Sequence, residues 1–295
     1  MYKKELIILS TFALLSFNAF SSLNATASGK NANEQVSDKF IAKQRVTLAK
    51  NTAGKGYGPQ SPRDIDVIKG INNRYFEASP PSTKMNLCNI HFHKNAEHRG
   101  GEFTKHAGNG DGHGYKTGYK YAGSLNKLDL IPTKHKICPS KHGNLQPGDT
   151  IEVHYVHSSA KVEPGPTLGS CFNKAVKNPQ LRVESQVYIL VNNKRALDFG
   201  KLTKHITKNG LHQAPNIPFN TGTPIQYAGS TTGPEYNEKG SPFHVTWSVR
   251  PKVAKVNIDT VGKWCKSNTF NESHAHGVRN LVTNPYLLSR IHWYF

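Results

Sequence analysis

Apolar and polar residues alternate along several short stretches of this 295-residue chain, and few stretches carry a helical period. In Asn89-Ile90-His91-Phe92-His93, Ile90 and Phe92 fall on one face of an extended strand and His91 and His93 on the other. Ile151-Glu152-Val153-His154-Tyr155-Val156-His157 repeats the pattern, with Glu152, His154 and Val156 sharing a face and His157 turned to the opposite, buried side. Leu181–Val191, rich in branched and aromatic residues, predicts a longer strand that ends in a turn at Asn192-Asn193-Lys194; His244–Val249 and Lys252–Ile258 predict two more. Only Thr260–Lys266 and Asn280–Arg290 read as short helices. The pattern predicts a mainly β (α+β) fold: one large, mostly antiparallel central sheet with long loops and a few short helices.

Residues 1–27 read as a signal peptide. Lys3 and Lys4 precede the apolar run Leu6–Phe20, and Ala25-Thr26-Ala27 fits a small-residue cleavage site. Roughly fifteen positions are too few for a comfortable transmembrane helix. No later stretch is long and apolar enough, so no stable membrane insertion is expected after cleavage, and the protein is expected to be exported, periplasmic or secreted. Residues 28–58 are polar and lysine-rich, an arm expected to wrap the surface, and residues 59–295 are long enough for one all-β domain. Cys88, Cys138, Cys171 and Cys265 make an even number compatible with two disulfides; of the three possible pairings, Cys88–Cys138 with Cys171–Cys265 is the first expectation.

The formal net charge of +19 changes this picture little. The lysines are scattered through loops, and no nucleic-acid motif accompanies them, so a solvated basic surface is expected rather than a nucleic-acid partner. The glycine-rich string Gly108–Tyr115 lacks the Gly-Lys-Ser/Thr of a phosphate loop and reads as a flexible surface loop.

The histidines carry the chemistry. If the two histidine strands are neighbours, His91, His93 and His154 can hold one metal ion and leave it an open position, the ligand count of a catalytic zinc rather than a closed structural one. Metal-bound imidazoles usually donate their other nitrogen to an acceptor, and Asn89 and Glu152 each stand two residues before a ligand.

Gln60-Ser61-Pro62-Arg63-Asp64-Ile65-Asp66 resembles the Gln-Ser-Pro-x-(Asp/Asn)-Ile signature of α-class carbonic anhydrases. Asn89–His93 resembles that family's Gln-Phe-His-Phe-His strand, Glu97-His98 its Ser-Glu-His turn, and Ile151–His157 its Glu-Leu-His-Leu-Val-His strand. Tyr227–Pro234 is similar to its Tyr-x-Gly-Ser-Leu-Thr-Thr-Pro loop, and Val245-Thr246-Trp247 to its Val-Thr-Trp strand. The wording around Cys88–His98, with His274–Arg279, resembles the divergent δ-class group more closely. Two departures stand out. A long insertion at about 99–150 separates the histidine strands, and no histidine occurs before His91, so the family's usual proton-shuttling histidine has no counterpart; His106, His113, His142, His274 and His276 are the candidates for a relay.

The resemblance makes residues 59–295 one carbonic-anhydrase-like catalytic domain. It implies a zinc ion (Zn2+) and the reversible hydration of carbon dioxide to bicarbonate and a proton by zinc-bound hydroxide. It assigns Thr232, in preference to Thr231, the hydroxyl that accepts a hydrogen bond from this nucleophile and donates one to Glu97. It further implies an apolar niche for carbon dioxide formed by Val156, Val245 and Trp247, with Thr231 where the α family has leucine. A non-catalytic metal-binding protein of the envelope and a zinc-dependent esterase are the alternative readings of the same histidines.

Overall fold

The computed structural model describes residues 35–290; the signal-peptide reading lies outside the described residues. Six strands form the central sheet: β1 (Asn86–Lys94), β2 (Thr150–Ser158), β3 (Leu181–Val191), β4 (Ile225–Ser230), β5 (His244–Val249) and β6 (Ala254–Asn257). The order is β1-β2-β3-β5-β4, with β6 also on β3. β1–β2, β2–β3 and β4–β5 pair antiparallel, whereas β5 and β6 run parallel to β3, one beside each half of it. The expected strands are all present, in a mixed sheet with long loops.

Alternation sorts the side chains into two cores. Ile90, Phe92, Ile151, Val153, Tyr155, Tyr188 and Leu190 pack on one face with Phe199, Trp264 and Phe270. Val156, Leu181, Val183, Val245 and Trp247 pack on the other, the face that carries the histidines. Register does the positioning: His91 lies directly opposite His154 and His93 opposite Glu152, so three imidazoles crowd one spot on one face.

Three helices accompany the sheet: α1 (Asp38–Thr52), α2 (Phe199–Leu202) and α3 (Ile258–Lys266). α3 covers the predicted Thr260–Lys266 helix and is capped by Asn257, whose side chain accepts from Asp259 N–H. The predicted helix at 280–290 is corrected: only Pro285–Leu287 makes a 3-10 turn, as the proline removes the N–H that a longer helix would need. Conversely, the polar arm contains α1. Ser37 caps it, but its buried positions are Ile41, Gln44, Leu48 and Thr52. Only two of those four are apolar, which is why the sequence showed no apolar stripe. Among the described residues no helix is long and apolar enough to cross a membrane.

The disulfides are Cys88–Cys171 and Cys138–Cys265, not the expected pairing. The turn Leu168–Cys171 packs on β1, where Gly165 N–H bonds the Cys88 carbonyl, while Ile137–Ser140 lies against α3, which carries Cys265. The nearest cysteine in space is therefore not the nearest in sequence. The glycine-rich string is tied down rather than loose: Asp111 Oδ1 accepts from His113 N–H and Tyr115 N–H.

Candidate metal centre

Each of the three histidines has one ring nitrogen tied and one turned inward. His91 Nδ1 lies 2.7 Å from Asn89 Oδ1, whose amide is itself fixed by donating to Gly165 O. His93 Nδ1 lies 2.8 Å from Gly277 O, and His154 Nε2 lies 2.8 Å from Glu152 Oε1. All three partners are acceptors, so the protons belong on these outer nitrogens and the lone pairs on His91 Nε2, His93 Nε2 and His154 Nδ1. His91 Nε2 and His154 Nδ1 face each other at 3.3 Å, and His93 Nε2 is buried with no partner. Two facing lone pairs and one orphaned acceptor are unfavourable unless a cation sits among them, and the donor set suits zinc. His98, Glu152 and His154 also bring ligand-type atoms within 4.8 Å of one another, but there the close approaches are hydrogen bonds.

Burial keeps the His91 and His93 rings neutral. Desolvation, then the neighbouring His154 and His93, hold His91 well below the ordinary histidine value, and desolvation is the largest cause that brings His93 down to about 4. A neutral imidazole is the form that binds metal.

Glu152 is the hub. Its side chain is fully buried, and it accepts from His154, His98 Nδ1 and Ser185 Oγ on one oxygen and from Glu97 N–H and His98 N–H on the other. Burial alone would raise its pKa, but His98 and His154 hold it well below the carboxylate range. The network continues outward: His98 Nε2 lies 2.7 Å from Tyr227 Oη, which lies 2.6 Å from Ser61 Oγ. Gln60 and Ser61 meet the Tyr227–Ser230 strand closely; a Cβ on Gly229 would stand 2.6 Å from Ser61 Cα. Four separate sequence stretches thus act through Glu152 on the outer nitrogen of His154.

The histidines open into a cavity of about 450 Å³, walled by Val156, Leu168, Leu181, Val183, Val245 and Trp247 on its apolar side. Thr231 and Thr232 both line it. Thr231 Oγ1 is engaged by Ser241 Oγ at 2.5 Å, and Thr231 is buried; Thr232 is half-buried. Glu97 is buried rather than a surface partner of Arg99, which pairs with Asp64 instead. Glu97 Oε1 accepts Arg279 N–H at 3.0 Å, and its Oε2 has no partner; among the described residues no hydrogen bond joins it to Thr232. Burial would raise Glu97, but His93 and Arg63 leave it below the ordinary value.

One of the five relay candidates, His276, and one residue that was not expected, Tyr115, complete the site. His276 bridges to β1 beside His93, lines the cavity and bonds Glu272 at 2.7 Å, which more than offsets the downward pull of burial and raises its pKa. The insertion contributes Tyr115 to the wall, stacked on His142. The His-Ala-His-Gly wording was a visible signal for the first; nothing local marks the second. His106 and His113 do not line the cavity.

The model of the delta carbonic anhydrase family matches residues 82–260. No curated protein sequence matches the chain. Among solved structures, the chain is similar to the α-carbonic anhydrase of Photobacterium profundum, at 17% identity over 81% of this chain and 94% of that one, with a TM-score of 0.28. It is also similar to the α-carbonic anhydrase of Thermovibrio ammonificans in complex with the inhibitor sulfanilamide, at 16% identity over 81% and 89%, with a TM-score of 0.27.

Proposed function

The chain belongs to the delta carbonic anhydrase family, and on that premise we propose that it catalyses the reversible hydration of carbon dioxide to bicarbonate and a proton, with zinc held by His91, His93 and His154. The observation that carries the proposal is the convergence of three imidazole nitrogens, each ring fixed from behind by Asn89, Gly277 or Glu152. When bound, zinc would supply Lewis acidity that lowers the pKa of a water ligand toward neutrality, an effect for which carbonic anhydrases are the standard example.

The remaining work falls to the chain. Carbon dioxide has no net dipole, and Val156, Val245 and Trp247, with Leu181 and Val183, offer it an apolar wall beside the imidazoles. Glu97 is held as a carboxylate with one oxygen occupied and one open, the acceptor-only partner that an orienting hydroxyl needs. We assign that hydroxyl to Thr232, because Thr231 already shares a hydrogen with Ser241.

Metal analysis coupled to stopped-flow hydration tests the reading. About one zinc per chain with a hydration rate far above buffer is expected; a folded, zinc-loaded protein with no rate above buffer would overturn catalysis and leave a metal-binding protein. We also propose export, which two disulfides in one chain support. A mature N-terminus near Ser28 in the exported fraction is the expected result, and an uncleaved chain in the cytoplasm would refute it.

A further inference from the structure

Consecutive strand residues point to opposite faces, yet Cys88 packs in the core on the histidine face and Asn89, the next residue, lines the metal cavity on that same face. A bulge makes this possible. Leu87 pairs with His157 and Asn89 with Val156, so Cys88 is the extra residue of β1 and has no register partner on β2. Its carbonyl is left to accept Gly165 N–H at 3.0 Å, and its side chain takes the disulfide to Cys171. Asn89 Nδ2 in turn donates to Gly165 O at 3.0 Å. Both ends of the segment Gly165–Cys171 are therefore fastened to Cys88 and Asn89.

Between those ends the chain is strained and faces the metal site. Thr167, at φ 57 and ψ 171, holds a backbone combination that belongs almost wholly to glycine, and Thr167, Leu168 and Gly169 line the cavity. Such a residue persists only where its surroundings over-determine it. At the Cys171 end the hold is covalent, backed by Ser158 Oγ donating to the Cys171 carbonyl at 2.7 Å. At the Gly165 end it is two hydrogen bonds, each of which water can replace. Freed at Cys171, the segment can relax Thr167 and draw the Gly165 carbonyl off the Asn89 amide. Asn89 then loses the contact that keeps its Oδ1 toward His91 Nδ1, 2.7 Å away.

We propose that the Cys88–Cys171 disulfide is a positioning element of the metal centre, setting the orientation of His91 through Gly165 and Asn89. The inference rests on the metal reading above. Cys138–Cys265 supplies the contrast: Cys138 lies in the core on the opposite face of the sheet, with Cys265 packed against it.

Zinc affinity of folded protein, read at low temperature by competition with a chromophoric chelator, tests the proposal. Cys88→Ser/Cys171→Ser should bind zinc about tenfold more weakly than the parent. Cys138→Ser/Cys265→Ser, though less stable, should stay within about threefold. Equal losses in the two, or none in the first, would overturn the proposal. A mutant cycle checks the route: in an Asn89→Ala background the oriented acceptor is already gone, so removing Cys88–Cys171 should weaken binding by no more than about threefold further. A second tenfold loss there would also overturn it. If Cys88→Ser/Cys171→Ser does not fold, Pro166→Gly decides, because it keeps the disulfide but loosens its link to Gly165. A loss above about threefold is then expected, and anything less overturns the inference. A parent that binds no zinc defeats the metal reading itself, whereas a parent that binds zinc without these selective losses defeats only this inference.

Discussion

Replacing Glu152 with glutamine changes one atom of a carboxylate that accepts five hydrogen bonds. Oε2 receives two backbone N–H groups that cannot be reversed, from Glu97 and His98, at 2.7 and 2.9 Å. The glutamine must therefore keep its oxygen there and turn its NH2 toward His154 Nε2, His98 Nδ1 and Ser185 Oγ. Ser185 can rotate its hydroxyl to accept. His154 can accept only by moving its proton from Nε2 to Nδ1, the nitrogen that faces His91 and would bind metal. Loss of the buried charge from its partners should lower unfolding free energy by about 3 to 5 kcal/mol. The wrong tautomer should weaken zinc binding about 10- to 100-fold, or about 1.4 to 2.7 kcal/mol. Competition with a chromophoric chelator on folded protein reads the second effect apart from the first, and urea unfolding reads the first. Ser185→Ala is the control: it removes the 2.5 Å bond to Oε1 without forcing a tautomer, and its zinc affinity should stay within about threefold. If Glu152→Gln binds zinc as tightly as the parent, Glu152 does not set the His154 tautomer and the reasoning fails.

His154→Ala should leave folded protein with no zinc after dialysis; full occupancy would show that the third ligand is another residue. Thr232→Ala should lower the hydration rate about 100-fold or more with zinc content unchanged, and a larger loss in Thr231→Ala would transfer the orienting role. The pH dependence of stability has a contribution that does not involve the metal. His157 is buried with Nδ1 on the Tyr155 carbonyl, and desolvation lowers its pKa to about 4. Its folded value lies below the unfolded one, so the unfolded chain binds more protons between pH 6.5 and 4. The stability this neutral ring preserves is complete above pH 6.5 and lost as pH falls through about 4, about 3 kcal/mol in all. Unfolding curves should show His157→Gln losing less stability than the parent over that window, and identical slopes would refute the assignment.

Strand period is a local property, so the chain's own text determined β1, β2 and β3, the face carrying His91, His93 and His154, and Asn89 and Glu152 as partners two residues away. Side chains at i and i+2 share a face whatever the rest of the molecule does. The same local reading failed where the cause was distant. α1 is held by a cap and by contacts of Gln44 with Gly112 and Asn280, not by an apolar stripe. The cysteines pair across 83 and 127 residues, and the carbonyl that fixes His93 comes from Gly277, 184 residues away. Tyr115 likewise acquires meaning only beside its neighbours. Those partners are chosen by which segments pack together, a sum of burial and hydrogen bonding over the whole fold that no window of sequence contains.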